Sequence, residues 1–315
     1  MKRIELKKGL DVPICGDPKQ EIAPQVPVTR VALLGDDYIG MKPTMEVSEG
    51  DHVKTGQLLF RDKKNEGVVF TAPATGKIAS IDRGAKRKFE SLVIECEDDD
   101  FVSFLSTEER KAADFSPEKI RETLVASSLW TGFRTRPFGK VPQIDSSPAA
   151  LFITAIDTRP LAADPTVIIG DKEDEFTRGL HILESFIENP VFLCTEKSEF
   201  FSGMDMKKTE VVEFHGPHPS GLPSTHIHFL QPAGEKNIIW HIDYQDVIGI
   251  GELFKTGHLP VEKVIAIGGP AILKPSLQRV RIGSDIYQVS RDNLISSPNR
   301  LLSGSILDGR QVKDF

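Results

Sequence analysis

Four histidines lie close together in the stretch 215–230, which reads H-G-P-H-P-S-G-L-P-S-T-H-I-H-F-L. They are His215, His218, His226 and His228, half of the chain's eight histidines. Imidazole nitrogens bind metals, make hydrogen bonds and exchange protons near neutral pH. Because three prolines and two glycines interrupt the stretch, its composition predicts a rigid loop rather than a helix or a strand.

A metal site is one interpretation of these histidines. On an extended segment, His226 and His228 would lie on one face, and His218 would come round as a third ligand. However, no Cys is near in sequence, the loop contains no Asp or Glu, and the spacing matches no established zinc pattern. We therefore expect no metal and favour histidines held by structural hydrogen bonds, with ligand contact as the remaining alternative.

A second candidate site is the stretch 129–140, L-W-T-G-F-R-T-R-P-F-G-K, which mixes aromatic and basic side chains. Its cations would hold an anionic or polar headgroup, and its rings would cover a flat ligand. These candidates are Trp130, Phe133, Arg134, Arg136, Phe138 and Lys140. The competing interpretation is a structural loop whose arginines pair with nearby carboxylates. No residue offers a convincing nucleophilic or redox role, so we assign no catalytic residue.

Alternating helices and strands surround these candidates. Ser116 is an N-cap with Pro117 at the first helical position, leading a helix to about Leu129, and a second helix is expected over about 172–187. The predicted buried strands are Ala149–Ile156, Val191–Cys194, Val211–Phe214 and Ile238–Ile242. This order predicts a doubly wound, largely parallel sheet. Ligands bind at the carboxyl ends of such strands, so we expect loops 130–140, 157–161 and 215–228 to meet there.

The segment 243–257 predicts a helix with signals at both ends. Asp243 is a good N-cap, and Gly257 is a natural residue to end the helix. Gly249 and Gly251 match the first two glycines of a dinucleotide fingerprint, but they lie inside the helix rather than in a strand-to-helix turn. Close backbone packing against a neighbour is therefore the better explanation for them.

Composition excludes several classes of function. The net charge of −7 and the lack of a long basic run argue against nucleic acid as a partner. No apolar run approaches the roughly 18 residues that span a bilayer, so no direct membrane span is expected. Cys15, Cys96 and Cys194 are widely separated, which indicates a reducing compartment and provides no ligand set for an iron–sulfur cluster.

The N-terminal part contains two paired β-prone segments, V-S-E-G-D-H-V-K-T-G-Q-L-L-F (47–60) and V-V-F-T-A-P-A-T-G-K-I-A-S-I (68–81). These motifs resemble the biotinyl/lipoyl-type barrel-sandwich hybrid fold. In carrier members of that fold the hairpin tip bears a modified lysine, but Lys63 and Lys64 lack the usual flanking residues. We expect a solvated charged turn, with a lipoyl- or biotin-carrying role as a further hypothesis.

Four further motifs follow in order: I-T-A-I-D-T-R-P-L-A-A-D (153–164), G-P-H-P-S-G-L-P-S-T-H-I-H (216–228), Y-Q-D-V-I-G-I-G-E-L-F-K-T-G (244–257) and S-G-S-I-L-D-G (303–309). Together with the barrel, they resemble the A subunit of the bacterial sodium-translocating NADH:quinone oxidoreductase over essentially the whole chain. The family is related to the C subunit of the Rnf complex and to the flavin-binding subunit of respiratory complex I. Family chains normally continue further, so we expect this chain to be truncated.

The resemblance implies an α/β multidomain protein. It would have a barrel-sandwich hybrid domain (1–100), a Rossmann-like doubly wound α/β domain without a flavin loop (101–258) and the start of a β-grasp-like SLBB domain (259–315). It also implies a peripheral subunit on the cytoplasmic face of the bacterial inner membrane, in a complex that couples NADH oxidation by ubiquinone to Na+ export.

The resemblance also bears on cofactors and partners. The stretch 130–136 has one glycine and no row of backbone donors for flavin phosphates, and the cluster cysteines of the relatives are absent. Flavins and iron–sulfur centres are therefore expected in partner subunits, with no cofactor in this chain and ubiquinone as a possible substrate. The alternative is a purely structural scaffold or docking subunit with no quinone contact.

Overall fold

A computed structural model describes residues 2–112, 114–295 and 298–312. In this part of the chain the strands are β1 (Lys2–Glu5), β2 (Lys19–Ala23), β3 (Arg30–Leu34), β4 (Pro43–Met45), β5 (His52–Val53), β6 (Leu58–Asp62), β7 (Val69–Thr71), β8 (Gly76–Arg83), β9 (Phe89–Cys96), β10 (Arg134–Arg136), β11 (Leu151–Ala155), β12 (Val191–Thr195), β13 (Thr209–His215), β14 (Ile239–Asp243), β15 (Glu262–Ile267), β16 (Ser276–Arg281), β17 (Leu302–Ser303) and β18 (Arg310–Gln311). The helices are α1 (Thr107–Arg110), α2 (Pro117–Ala126), α3 (Pro165–Asp171), α4 (Glu173–Phe186), α5 (Pro223–Leu230), α6 (Tyr244–Thr256) and α7 (Ile286–Ser290).

Two small sheets form the N-terminal barrel. One has the order β3-β9-β8-β5 and the other the order β4-β6-β7. Their facing side chains are fully buried, among them Leu59, Phe60 and Ile78. Lys63 and Lys64 lie exposed in the turn between β6 and β7. The strand pairs that the motifs predicted therefore enclose a common apolar core.

Residues 2–23 contribute two strands to the sheets of the other two regions. β1 pairs in parallel with β13, and β2 pairs in parallel with β16. This part of the predicted domain 1–100 thus ties the N-terminus to both neighbouring regions. The predicted boundaries at 100 and 258 stay predictions, and residues 313–315 of the third predicted domain lie outside the described residues.

The central sheet has six strands in the order β1-β13-β12-β11-β14-β10. All pairs are parallel except β10 with β14, so the predicted parallel sheet is confirmed with one antiparallel edge strand. On one face, β11, β12 and β14 pack with α2, α4 and α6 in the main core. On the other face, α5 packs over Phe152, Phe214 and Ile239. Helices therefore lie on both faces, as in a doubly wound fold.

Local signals explain α6. Asp243 accepts a hydrogen bond from the Gln245 backbone N–H at 2.9 Å, and Gly257 ends the helix with a left-handed φ of 76°. Gly251 packs against α4, where an added Cβ would lie 1.8 Å from the Glu175 carbonyl oxygen. The predicted caps are confirmed. The predicted close backbone packing is confirmed for Gly251 but not for Gly249, where an added Cβ would meet the Pro260 side chain at 3.3 Å.

The C-terminal region is a three-stranded sheet, β15-β16-β2, followed by α7 and the hairpin of β17 and β18. Asp285 is fully buried, caps α7 and accepts two hydrogen bonds from Arg30 of the barrel, at 2.6 and 2.8 Å. The Gln245 side chain binds both backbone groups of Val264, at 2.8 and 2.9 Å. These polar contacts join the three regions. Across the residues that the structure describes, no helix has the length and apolar character needed to cross a bilayer.

Candidate functional site

The histidine stretch is not a loop throughout. β13 ends at His215, a loop follows, and α5 begins at Pro223. Proline is tolerated at the first helical position because its missing N–H would have no partner inside the helix anyway. The loop prediction is therefore wrong for 223–230, where proline starts a helix instead of preventing one.

Helical geometry separates the two histidines that an extended segment would align. Two helical positions differ by about 200°, so His226 and His228 point in different directions. His226 is fully buried, with its Nε2 2.8 Å from the Ser220 carbonyl oxygen and its ring 4.3 Å from the Phe214 ring. His228 is exposed. The alignment on which a three-histidine metal site depended is therefore wrong.

The other two histidines make local hydrogen bonds. Nδ1 of His218 lies 3.0 Å from Oγ1 of Thr158, and Nε2 of His215 lies 3.2 Å from a carboxylate oxygen of Glu213. In the described residues no group of three or more His, Cys, Asp or Glu side chains is arranged to hold a metal ion. These contacts agree with the structural interpretation of the histidines.

Two of the three predicted loops, 157–161 and 215–228, contact each other at the carboxyl edge of the sheet, and the third, 130–140, reaches this edge only with its first residues. Thr158 follows β11 and accepts a hydrogen bond from the Gly221 N–H at 3.0 Å, so loop 157–161 contacts the loop after β13. By contrast, β10 runs antiparallel to β14, with Arg134 opposite His241 and Arg136 opposite Ile239. The turn 137–140 therefore lies at the amino end of β14, and its expected place at the carboxyl edge is wrong. The start of the loop lies at the carboxyl end, where an added Cβ on Gly132 would lie 3.3 Å from the Asp246 carboxylate.

Trp130 and Phe133 belong to the core. Both are fully buried, and both rings lie 5.4 Å from the Trp240 ring. The Trp130 indole N–H donates to the Pro142 carbonyl oxygen at 3.0 Å. In this conformation neither ring is accessible to a quinone, because the aromatic cluster fills the space between β14 and α2. Their assignment to a ligand surface is corrected accordingly.

Arg134 and Arg136 project from β10 to the opposite face of the sheet, beside His241. Arg134 donates to the carbonyl oxygens of Thr131 and Phe133 and lies 5.6 Å from the centre of the Tyr38 ring. Arg136 donates only weakly, to the Thr135 carbonyl oxygen at 3.4 Å. Throughout 2–112, 114–295 and 298–312, no carboxylate forms an ion pair with either guanidinium. The expected pairing with nearby carboxylates is therefore wrong for these residues.

His241 was not among the predicted site residues, although a histidine between Trp240 and Ile242 interrupts an apolar strand and is a detectable signal. It is partly buried, and its Nε2 has no hydrogen-bond partner. Burial, followed by the charges of Arg136 and Arg134, lowers the pKa of His241 to about 3. The imidazole is therefore neutral at physiological pH.

Phe138 and Lys140 lie on an exposed turn. Phe138 is 68% exposed and has a φ of 87°. Two backbone hydrogen bonds of 2.8 Å close the turn: the Thr135 N–H donates to the Lys140 carbonyl oxygen, and the Gly139 N–H donates to the Thr135 carbonyl oxygen. Lys140 and Ile39, which is 63% exposed, line a cleft of about 200 Å³ between this turn and the barrel. The cleft is also lined by Tyr38, Gly40, Met41, Asp62, Lys64, Asn65, Phe70, Val141 and Gln143.

A titratable group lies at the carboxyl end of β14. Loss of water around its carboxyl, with repulsion from Asp246, raises the pKa of Asp243 to about 6, although the residue keeps contact with solvent. Lys263 donates to Asp246 at 2.6 Å and partly offsets this repulsion. Because Asp243 is exposed, solvent screens part of this rise in pKa.

Three family models match consecutive parts of this chain. The model of the NqrA N-terminal barrel-sandwich hybrid domain matches residues 4–97, that of the NqrA second alpha/beta domain matches 115–259, and that of the NQRA C-terminal domain, of SLBB type, matches 264–314. These matches confirm the predicted fold class.

Curated relatives extend the similarity over nearly the whole chain. The A subunit of the Na(+)-translocating NADH-quinone reductase of Neisseria meningitidis serogroup B (strain MC58) is 48% identical over 306 residues, covering 97% of this chain and 68% of the relative. The corresponding A subunit from Haemophilus influenzae (strain Rd) is 46% identical over 312 residues, covering 99% and 70%. The resemblance that the motifs predicted is confirmed.

Among solved structures, NAD+-reducing NiFe hydrogenase in the air-oxidized state is similar with a TM-score of 0.43 and 12% identity. The match covers 60% of this chain and 41% of the hydrogenase chain.

Proposed function

The chain belongs to the family of A subunits of Na(+)-translocating NADH-quinone reductases, and from this membership we propose that it is a peripheral subunit of a sodium-pumping NADH:quinone reductase. Identity of 46–48% over nearly the whole chain is the observation that carries the proposal. In this proposal the subunit lies on the cytoplasmic face of the bacterial inner membrane, and the assembled complex couples NADH oxidation by ubiquinone to Na+ export.

The proposal assigns flavin and iron–sulfur chemistry to partner subunits. Cys15, Cys96 and Cys194 lie far apart in the sequence, and Cys194 is buried with its thiol pKa raised by burial. The stretch 130–136 also lacks the repeated glycines that cradle flavin phosphates. Both features support a subunit that contributes to quinone interaction or to assembly of the complex and does not itself carry electrons.

The turn 137–140 is where we place quinone contact. Phe138 and Ile39 offer two exposed apolar side chains, and Lys140 offers a donor to a quinone carbonyl oxygen. The cleft of about 200 Å³ is smaller than the ~300–1,000 Å³ pockets that enclose larger ligands, so it suits a headgroup without its tail. Arg134 lies opposite His241 in the strand pair, and its guanidinium lies 5.6 Å from the ring of Tyr38 at the edge of the cleft. Trp130 and Phe133 lie in the core and do not contribute to the contact surface.

A test uses the complex assembled with the full subunit. Phe138→Ala is expected to raise the KM for a short-chain ubiquinone several-fold, by removing an exposed contact without disturbing the core. Phe229→Ala is the matched control, because Phe229 is also exposed, at 49%, but lies on α5 away from the cleft. Failure of the full subunit to co-purify with membrane subunits would contradict the wider proposal.

A scaffold without quinone contact is the second candidate. It is favoured by the complete burial of Trp130 and Phe133, which turns two of the predicted contacts into core residues. If this candidate holds, Phe138→Ala leaves both the KM for quinone and the inhibitor response unchanged while the complex still assembles. The kinetic constants of the same variant therefore decide between the two candidates.

A further inference from the structure

One part of the central sheet, beyond helix α5, is lined by nitrogen-bearing side chains. α5 and the segment Leu6–Leu10 cover the apolar part of this face, where the Leu6 and Leu10 N–H groups donate to the carbonyl oxygens of His215 and His218. Beyond α5, at β14 and β10, the same face presents His241, Arg134 and Arg136.

Strand register places these three side chains together. Arg134 lies directly opposite His241 across the β10–β14 pair. Arg136 is two residues further along β10 and therefore projects from the same face, about 7 Å away along the strand. His241 is also opposite Phe152 on β11, so it lies between the arginines and the apolar part of the face.

The two positive charges have no counter-ion in the described residues. Both arginines are partly buried, and the ion pairs within 2–112, 114–295 and 298–312 involve other cations. Burial and the neighbouring Arg134 lower the pKa of Arg136, which shows that the positive charge there is unfavourable as the chain stands. A chain with a net charge of −7 has many carboxylates, yet none of those described neutralises this pair.

Nearby polar atoms on this face also lack partners. Nε2 of His241 and Oγ1 of Thr154, which precedes the end of β11, are buried without a hydrogen bond. Buried polar groups are nearly always paired, so unpaired ones next to uncompensated charges mark hydrogen-bonding capacity that the chain itself does not use.

We propose that Arg134, Arg136 and His241 form a binding site for a phosphate group on the β10–β14 face of the sheet. Two guanidinium groups present planar forks of donors, which suit a tetrahedral dianion that is shared between them. His241 adds a neutral ring nitrogen and no further charge. The site adjoins the proposed quinone contact, because the Arg134 guanidinium lies 5.6 Å from the ring of Tyr38, which lines the cleft. The two proposals are tested by different measurements, phosphate binding for this site and the KM for quinone for the turn 137–140, so their failures are distinguishable.

The phosphate has two possible sources, free inorganic phosphate or the terminal phosphate of a nucleotide. Isothermal titration of the full chain with inorganic phosphate and with ADP, in a phosphate-free buffer of low ionic strength, distinguishes them. Similar dissociation constants indicate a site for free phosphate, and at least about tenfold tighter binding of ADP indicates a nucleotide phosphate. Absence of saturable binding for both probes overturns the proposal.

Substitutions connect binding to the named residues. Arg134→Gln and Arg136→Gln are each expected to weaken binding at least about tenfold, because each removes a charge-assisted contact. Arg83→Gln is the matched control, since it removes an exposed arginine from the end of the barrel strand β8 and is expected to change the dissociation constant less than about twofold. Equal weakening in all three variants would show a general charge effect and contradict the site.

A measurement on the unchanged chain covers the case in which a variant fails to fold. Phenylglyoxal modifies accessible arginines, and peptide mass spectrometry reports the extent at each position. Saturating phosphate is expected to protect Arg134 and Arg136 while leaving the modification of Arg83, on the exposed end of β8, unchanged. Modification of Arg134 and Arg136 at the same rate with and without phosphate contradicts the proposal.

Discussion

The two faces of the six-stranded sheet differ in how closely they are packed and in how completely their polar and charged groups are paired. On the face of α4 and α6, backbones approach so closely that a Cβ on Gly251 would lie 1.8 Å from the Glu175 carbonyl oxygen, and one on Gly179 would lie 2.0 Å from the Val247 carbonyl oxygen. On the face of α5, Arg136 and His241 keep unmatched charge and an unpaired nitrogen.

This difference shows how one sheet can serve two purposes. A closely packed face fixes the relative positions of its helices, because any added volume must displace backbone. A face with unmatched polar groups is less stable than an apolar one would be, but it retains capacity to bind a ligand. Substitutions on the first face should therefore change the free energy of unfolding. Substitutions on the second face should change the titration of His241 and the binding of a ligand.

Gly251→Ala should have the largest effect. Alanine would favour the helix by about 1 kcal/mol, but the clash with the Glu175 carbonyl should outweigh this and lower the unfolding free energy by about 3 kcal/mol. Urea denaturation measures the change. Gly249→Ala is the control, because its Cβ would lie 3.3 Å from the Pro260 side chain, and we expect a change within about 1 kcal/mol. Equal losses in both variants would contradict the role given to the α4–α6 contact.

Glu184→Ala should have the next largest effect on the closely packed face. The side chain, 2% exposed, accepts hydrogen bonds of 2.7–3.1 Å from the backbone N–H groups of Lys207, Lys208 and Thr209 and from the Thr209 hydroxyl. Leaving these donors unpaired should cost about 2–3 kcal/mol, measured by urea denaturation. Glu188→Ala, at an exposed position, should change stability by less than about 0.5 kcal/mol.

The pH dependence of Glu184 sharpens that prediction. Burial alone would raise the pKa of Glu184, but the hydrogen bonds from Lys208, Thr209 and Lys207 hold it below its ordinary value of 4.5. The stabilisation is therefore fully present above pH 4.5 and is lost as the pH falls through the lower pKa of the folded state. The difference between wild type and Glu184→Ala should shrink below pH 4.5, and a difference that stays constant would contradict this account.

His241→Phe should flatten the pH dependence of stability. The unfolded chain takes up a proton on His241 near pH 6.5, whereas the folded chain does so only near pH 3, so acid favours unfolding between these values. The wild type should lose up to about 1 kcal/mol more per pH unit than the variant in this window. Asp243, with its pKa raised to about 6, acts in the opposite direction in both proteins and so largely cancels in the comparison. If the unfolding free energies of the wild type and the variant changed in parallel from pH 7 to pH 4, the lowered pKa would not belong to His241.

Arg136→Gln should have the smallest effect on stability, within about 1 kcal/mol, because an uncompensated charge is removed along with its weak hydrogen bond. Its informative consequence is electrostatic: the pKa of His241 should rise, since Arg136 is the main charge that lowers it after burial. NMR titration of the His241 ring measures this shift. Lys140→Gln should leave the titration unchanged, and an unchanged pKa in Arg136→Gln would contradict the proximity of the two side chains.

Local signals allowed several elements to be predicted from the sequence. Helix α6 was predicted with both ends, since Asp243 and Gly257 act through hydrogen bonds and backbone angles within the helix itself. Helix α5 was missed, because the prolines were interpreted as helix breakers and Pro223 is in fact the first helical residue. Both outcomes depend on residues at the ends of helices. Proline is permitted at the first helical position and disfavoured in the helix interior, so a small shift in the expected start of a helix reverses the prediction.

The candidate site was predicted less well than the fold. The stretch 129–140 was selected by composition, but composition does not specify which rings are buried. Trp130 and Phe133 enter the core because Trp240, far away in sequence, completes their aromatic cluster. The sequence does not predict a site at His241, because the significance of this residue depends on the strand that pairs beside it.

By itself, the sequence determined the family, the barrel motifs and the caps of α6, since each depends on residues that are close in the chain. Only the tertiary structure decided that β10 runs antiparallel to β14, that the turn 137–140 leaves the carboxyl edge, and that Arg134 and Arg136 lie beside His241. A strand of three residues carries too little local preference to select its partner or its direction, so pairing with β14 makes that choice.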